Sequence, residues 1–277
     1  MDILVLAKQV PGSQNVAVDP ETGVLKRPAH GNKINPYDLF ALETGLLIKE
    51  RTGGTLAVLT MGPAQAGAIL REAFAMGADE GYLLADRRLA GSDVLATSYA
   101  LSQAIKTMKP FDLILCGKQT TDGDTAQVPP ALSQWMRLPM AAWVSSIEPL
   151  EDNTLRATQD FGSVIYVVRL PLPCIVSIGS VALQPRLPSY KLYKQTIDRE
   201  IHVITVDDFS DRDPSKYGLE GSPTKVERIF PPPRGGEREV WDCSVETAAQ
   251  KLASMLKKLK IVPNHNTMTA GGSYACR

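Results

Sequence analysis

The residues with the clearest chemical potential run from Leu113 to Pro130. Leu113-Ile114-Leu115-Cys116 is a short apolar run of the kind that forms a buried strand, and it empties into a loop holding Gly117, Asp122 and Gly123. Asp124-Thr125-Ala126-Gln127 has the polar, capping character of a helix start, so a helix is expected over Thr125–Met136. Free backbone N–H groups and the positive end of a helix dipole meet at such a turn and make it an anion site. The natural occupant is the phosphate of a nucleotide.

A second segment has similar character. Ala90-Gly91-Ser92-Asp93-Val94-Leu95-Ala96-Thr97-Ser98 sets a glycine, an acid and two hydroxyls around another helix start. One phosphate needs one such site; two would suit a diphosphate with something beyond it. The plainer reading is a well-capped helix with no ligand. Ala7 ends the first strand, where a small residue would admit an adenine ring or simply pack. Asn35-Pro36-Tyr37-Asp38 is a helix start with Asn35 as cap and Pro36 at the first position. Met61-Gly62-Pro63 ends another strand, where a flat ring could rest on backbone and sulfur, or the chain could merely turn.

The elements that must position these residues alternate in type. Strands are expected at Ile3–Leu6, Thr55–Thr60, Gly81–Leu84 and Leu113–Cys116, and helices at Tyr37–Arg51, Ala64–Met76 and Asp93–Met108. Repeated strand–helix units of this length predict an α/β fold, a mostly parallel sheet with helices on both faces. Ligands of such sheets bind at the carboxyl ends of the strands, near a switch in strand order. After Pro139 the pattern changes. Val144–Ile147, Leu155–Thr158, Val164–Arg169 and Cys174–Ile178 read as an antiparallel extension of the sheet or a small adjoining one, with a turn at Glu151-Asp152-Asn153. Beyond Gln184 the chain is expected to be less compact, with a loop over Asp207–Pro233 and a linker at Pro231-Pro232-Pro233 and Gly235-Gly236. Val245–Leu259 then reads as one amphipathic helix capped by Ser244, folding back on the chain or reaching a partner subunit. A disordered tail is expected over Pro263–Arg277.

Composition narrows the class. The chain has 277 residues, 44% of them hydrophobic and 22% charged, which suits a soluble globular core. Thirty basic residues balance thirty acidic ones, so bulk charge points to neither nucleic acid nor an anionic membrane. No run of apolar residues reaches a membrane span, and the N-terminus enters a strand without a secretory signal. Cys116, Cys174, Cys243 and Cys276 are far apart and are expected to be reduced thiols in a cytoplasmic protein, with Cys116 serving packing. His30, His202 and His265 are scattered, so neither a catalytic constellation nor a metal site is expected. No GxGxxG follows the first strand, so an ordinary Rossmann site is disfavoured, and any redox chemistry must be carried by a bound cofactor.

Together these segments resemble the β subunit of the electron-transfer flavoproteins. The motifs that carry the likeness are Val5-Leu6-Ala7-Lys8-Gln9-Val10, Asn35-Pro36, Met61-Gly62-Pro63-Ala64-Gln65, Ala75-Met76-Gly77-Ala78-Asp79, and above all Gly117-Lys118-Gln119 with Asp122-Gly123-Asp124-Thr125-Ala126-Gln127. The resemblance implies a nucleotide-binding α/β domain over residues 1–183, a partner-docking loop and linker arm over 184–240, and a C-terminal helix and tail over 241–277 that clasp a flavin-bearing α subunit. Housekeeping members of the family hold AMP in the β subunit. Electron-bifurcating members hold a second FAD there, which takes hydride from NADH and divides its electrons between the α-subunit flavin and ferredoxin or flavodoxin. Ala85-Asp86-Arg87 leading into Ala90–Ser98, and Gly218-Leu219-Glu220-Gly221-Ser222-Pro223-Thr224-Lys225, are similar to the bifurcating pattern. By that resemblance Ala7, Asn35, Asp38 and Met61 fall at the adenosine end. Gly123, Asp124, Thr125 and Gln127 surround the phosphates, Asp93, Thr97 and Ser98 lie on the diphosphate and flavin side, and Gly117, Asp122 and Ala126 complete the expected cofactor-binding set.

The chain departs from the family in places. Pro129 stands where Gly is usual, which is expected to reshape the adjoining helix start, and Met140 stands where Gln is common. Leu183-Gln184-Pro185-Arg186-Leu187-Pro188-Ser189-Tyr190 replaces the usual stretch before the loop that docks an acyl-CoA dehydrogenase. Tyr190 falls near the docking leucine of relatives, so Tyr190 and Tyr193 are expected as aromatic anchors for that partner.

Overall fold

A computed structural model of the chain describes residues 1–12, 17–18, 25–26, 31–150, 152–179, 183–227 and 239–262. Strands β1 (Ile3–Leu6), β2 (Gln9–Pro11), β3 (Ala17–Val18), β4 (Leu25–Lys26) and β5 (Asn32–Ile34) come first. Helix α1 (Pro36–Thr52), β6 (Leu56–Met61), α2 (Gly67–Met76), β7 (Glu80–Leu84), α3 (Val94–Thr107), β8 (Leu113–Gly117) and α4 (Val128–Met136) come next. The second half holds β9 (Met140–Leu150), β10 (Thr154–Asp160), β11 (Ile165–Pro171), β12 (Cys174–Ile178), α5 (Tyr190–Thr196), β13 (His202–Ile204) and α6 (Val245–Lys258).

The main sheet runs β11-β10-β9-β12-β8-β1-β6-β7-β13. From β9 to β13 along that order every neighbouring pair is parallel. The antiparallel pairings of this sheet are those of β10 with β9 and with β11, so β10 alone runs opposite and the extension belongs to the same sheet. Period-two alternation in β1 sends Ile3 and Val5 to one face and Leu4 and Leu6 to the other. Ile3 and Val5 join Leu42 and Leu46 of α1 and Leu70 and Phe74 of α2. Leu4 and Leu6 join Ala100 and Ala104 of α3 and Leu132 of α4. The chain leaves β1 for β6 and β7 on one side and returns to β8 on the other, so the switch point lies between β1 and β8.

Three expectations need correction. Cys174–Ile178 is not part of the antiparallel set. It inserts between β8 and β9, parallel to both, and all five residues are buried. An unbroken apolar run of this kind is the pattern of a strand covered on both faces. Residues beyond Gln184 are also more compact than expected. His202–Ile204 adds a strand to the β7 edge, and Val206, Phe209 and Tyr217 are buried in the core of the α3 face. Finally, α4 begins at Val128, because Asp124 and Ala126 have φ of 54° and 55°, outside helical space.

The chain forms two compact units, residues 1–229 and 230–277. In the second, Ser244 caps α6 by accepting from the Thr247 N–H at 3.4 Å, and Leu252, Met255 and Leu259 are exposed. The triple-proline linker, the tail, His30, His265 and Cys276 lie outside the described residues.

Candidate functional site

Most sequence-predicted site residues gather at the carboxyl edge of the parallel strands. Asp38, in the first turn of α1, is buried at 5% exposure, and its carboxylate spans the switch point. Oδ2 accepts the Lys8 N–H beyond β1 at 2.8 Å, and Oδ1 accepts the Gly117 N–H at the end of β8 at 3.1 Å. Gly117 must be glycine for this approach: a Cβ there would stand 2.3 Å from Asp38 Oδ1 and 2.7 Å from the Tyr37 carbonyl carbon. Burial lifts the Asp38 pKa to about 7 against the opposing pull of those N–H donors.

That shift fixes a pH dependence. Folded Asp38 keeps its proton up to about pH 7, while the unfolded chain releases it near the ordinary value of about 4. The folded state therefore binds more protons in that window, and stability falls as pH rises through it. The unfolding midpoint is expected to decline between those limits relative to Asp38→Asn. Parallel pH profiles for the two proteins would contradict this.

Asn35 does not act as the expected cap. Its side chain makes no capping bond to the first N–H groups of α1. Fully buried, it clamps the loop after β8: Nδ2 donates to the Gln119 carbonyl at 2.8 Å, and Oδ1 accepts from the Thr121 N–H at 3.2 Å. Lys8 Nζ reaches both Asp122 oxygens at 2.9 and 2.8 Å. Burial opposes ionisation of Asp122, and the Lys8 hydrogen bond and charge override it, leaving the pKa below its ordinary value. Gln119 Nε2 donates to Asp124 Oδ1, and the Asp124 N–H donates to the Thr120 carbonyl at 2.9 Å. The Gly123 N–H donates to Thr120 Oγ1 at 3.3 Å. Lys118 turns away, its ammonium 3.8 Å from the Trp143 ring centre.

The loop so held has donors to spare. The N–H groups of Thr125, Ala126, Gln127 and Val128 find no partner among the described residues. Ala126 has positive φ and Gln127 is right-handed, an alternation that turns successive N–H groups to one side as an anion nest. Thr125 and Gln127 are exposed. The donor set therefore fits a phosphate, with the α4 dipole behind it.

The other predicted residues divide. Ala7 is buried at the end of β1, its N–H donating to the Leu59 carbonyl at 3.0 Å. Met61 ends β6 half-buried against the α3–α4 face. Asp93 caps α3 by accepting the Ala96 N–H at 3.1 Å. Its Oδ2 also accepts from the Thr224 N–H and hydroxyl, at 3.1 and 2.7 Å, and its own N–H donates to Ser222 Oγ at 2.9 Å. Thr97 is half-buried in the same turn of α3. Ser98 faces inward: fully buried, its hydroxyl donates to the Leu95 carbonyl and accepts from Trp135 Nε1 at 3.1 Å, linking α3 to α4. Ser222 and Thr224 had no spacing signal of their own, since 129 and 131 residues separate them from Asp93.

Tyr190 and Tyr193 lie elsewhere. On α5 they are 70% and 43% exposed, and with Arg71, Glu72, Ala75 and Pro188 they line a groove of about 420 Å³. Arg186 fixes the segment before them by a multiply bonded pair with Glu43 of α1, 2.9 Å at the closest, and by Glu50 at 2.6 Å. Among the described residues no group of three or more His, Cys, Asp or Glu could hold a metal, and no helix is long and apolar enough to cross a membrane.

Comparison with known proteins places this architecture. The electron transfer flavoprotein domain model matches residues 22–208. The electron transfer flavoprotein subunit beta of Thermoanaerobacterium thermosaccharolyticum is 38% identical over 263 residues, covering 95% of this chain and all of the relative. The caffeyl-CoA reductase-Etf complex subunit CarD of Acetobacterium woodii is 39% identical, again over 95% of this chain and all of the relative. Protein FixA of Bradyrhizobium diazoefficiens is 40% identical over 91% of this chain and 90% of the relative. With that coverage, and with a parallel sheet whose motif residues converge on one edge, the chain belongs to the electron transfer flavoprotein family, among its β subunits.

Proposed function

We propose that this β subunit pairs with an α subunit to form an electron-bifurcating flavoprotein, holding FAD at the carboxyl edge of its sheet and using NADH as electron donor. The observation that carries this reading is the pair of polar stations on that edge. One is the run of free N–H groups from Thr125 to Val128; the other is Asp93 and Thr97 at the start of α3, walled by Ser222 and Thr224. A mononucleotide needs one station, whereas a dinucleotide needs more. The chemistry supplied by FAD there is acceptance of hydride from NADH and separate release of two electrons, one by way of the α-subunit FAD to a partner dehydrogenase, the other to ferredoxin or flavodoxin.

The chain's own residues bind and orient. Thr125, Ala126, Gln127 and Val128 donate to phosphate, while Gly123 and Asp124 shape the turn. Asn35, Asp38 and the Lys8–Asp122 pair act through the backbone they hold, keeping Gly117 and the loop closed on β1. Ala7 and Met61 border the adenosine end. Tyr190 and Tyr193 offer exposed aromatic anchors for the dehydrogenase. The name of the Acetobacterium relative, a caffeyl-CoA reductase complex subunit, supports an acyl-CoA type of partner. The exposed Leu252, Met255 and Leu259 on α6 supply an apolar stripe for docking on the α subunit.

One observation favours a second reading, a β subunit holding AMP and passing electrons only through the α-subunit FAD. The Asp93 carboxylate is already engaged by Ala96 and Thr224, so the second station is closed by the chain itself. Replacing Thr125 or Asp124 by Leu in the co-expressed heterodimer tests the site. Bifurcation through this edge predicts loss of the β-subunit nucleotide and of NADH oxidation with the α-subunit flavin retained. Unchanged NADH-driven reduction would sink the assignment.

A further inference from the structure

The turn that walls the second station is held by a carboxylate some distance from it. Asp211 Oδ2 accepts from the Tyr99 hydroxyl of α3 and from Lys216 Nζ, both at 2.5 Å. Asp211 Oδ1 accepts the Asp213 N–H at 3.1 Å. The Asp211 carbonyl accepts the Tyr217 hydroxyl at 2.5 Å. Tyr217 is 2% exposed, with its ring centre 5.7 Å from Tyr99 and 5.6 Å from Phe209. Asp211 thus fixes an aromatic side chain from two sides, by its own backbone and through Tyr99.

Tyr217 leads into a tight turn with little freedom. Gly218 has φ of 58°, and a Cβ there would stand 2.2 Å from the Arg88 carbonyl oxygen. The Gly221 N–H donates to the Tyr217 carbonyl at 3.0 Å. Ser222 Oγ donates to the Gly218 carbonyl at 2.5 Å while accepting the Asp93 N–H, and Thr224 closes on the Asp93 carboxylate. Gly91 packs against Leu219, where a Cβ would stand 2.6 Å from the leucine side chain. Two links therefore run from Asp211 to Tyr217, the carboxylate by way of the Tyr99 hydroxyl and ring and the backbone carbonyl by a direct bond, and bonds continue from Tyr217 through the turn to the cap of α3.

We propose that Asp211 is a positioning residue for the dinucleotide half of the cofactor site: by fixing Tyr217 it sets the Gly218–Thr224 turn over Asp93 and the N-terminal end of α3. The inference rests on the dinucleotide reading of the site. It also divides the site in two. The phosphate nest at Thr125–Val128 is held by Asn35, Asp38 and Lys8, none of which belongs to the Asp211 series. Asp211 should therefore matter to a dinucleotide and not to a mononucleotide.

The test uses the co-expressed heterodimer carrying Asp211→Ala, which removes the carboxylate's bonds to Tyr99, Lys216 and the Asp213 N–H but keeps the carbonyl that accepts from Tyr217, with Tyr99→Phe as a milder variant that removes the first of those bonds alone. Release of FAD from the β subunit is expected to be about tenfold faster in Asp211→Ala, the effect of losing one well-made interaction. AMP affinity of β subunit stripped of nucleotide is expected to stay within about twofold. Tyr99→Phe is expected to shift FAD release in the same direction by less. Amide exchange in Asp211→Ala should quicken at Asp93, Gly221 and Thr224 and stay unchanged at Thr121 and Ala131. Unaltered FAD release with unaltered exchange would overturn the proposal, as would equal weakening of FAD and AMP, which marks general loosening of the fold. A native heterodimer with AMP alone would instead overturn the dinucleotide reading, and the exchange comparison would still decide what Asp211 positions.

Discussion

Gly117→Ala is expected to cost the β subunit its nucleotide. The added methyl carbon would lie 2.3 Å from Asp38 Oδ1, 2.7 Å from the Tyr37 carbonyl carbon and 2.8 Å from the Asp38 nitrogen. Two of those three atoms are backbone in the first turn of α1, so relief requires moving the helix end or the end of β8. Overpacking of this kind costs about 1–3 kcal/mol. Either movement also breaks the Gly117 N–H bond to a buried carboxylate, which adds about 1–3 kcal/mol. The loop that carries Thr125–Val128 begins at the displaced residue, so nucleotide affinity is expected to fall by about a hundredfold or more. Titration of stripped protein with AMP and FAD measures this. Affinities within about threefold of wild type would show that the Asp38–Gly117 contact does not set the loop.

Asn35→Ala is expected to be the second most damaging change, and a companion variant separates the two candidate roles of this side chain. Its removal leaves the part-buried Gln119 carbonyl and Thr121 N–H without their partner, at a cost of about 1 kcal/mol for each. The expected result is rapid amide exchange across the loop after β8, faster nucleotide release and a lower melting temperature. Asn35→Ser keeps a good helix cap but is too short to reach both loop atoms. If the structure describes the role of Asn35, Ser is as damaging as Ala. A silent Asn35→Ser would show instead that capping of α1 is what the position supplies.

The parallel half of the fold is legible in sequence because its strands and helices carry their own periodicity and end signals. Pro36 opens α1, Gly53 closes it, and Asp93 caps α3, each by local chemistry. The start of α4 lies three residues beyond its expected place, although a signal exists. Pro129 and Pro130 lack N–H groups and fit only the first turn of a helix, which places the start at Val128. Cys174–Ile178 likewise carries the unbroken apolar run of a doubly covered strand, but the neighbouring alternating strands draw it into their antiparallel set. The β13 edge and the burial of Phe209 and Tyr217 have no such signal, because a three-residue strand and two isolated aromatics in polar sequence have no period to read.

The site is legible to the same depth. Sequence locates the phosphate loop, because glycine, acid and hydroxyl residues between a strand and a helix state their chemistry locally. It does not reveal that Asn35 bonds the loop rather than its own helix, or that Ser98 faces Trp135. Those choices depend on which backbone and side-chain atoms come within reach across 86 and 37 residues of chain. The bonds of Ser222 and Thr224 to Asp93, in a segment that the family resemblance marks, and the place of Asp211 are out of reach for the same reason.

The proposed function stands or falls on whether this β subunit carries a flavin of its own. The decisive quantity is the flavin-to-protein ratio of the purified, co-expressed heterodimer, with the released nucleotides identified by mass. Two FAD per heterodimer and no AMP is the predicted result. One FAD with one AMP would contradict it, leave the Asp93–Thr224 contact as a capped helix with no ligand, and place the chain among β subunits whose nucleotide carries no electrons.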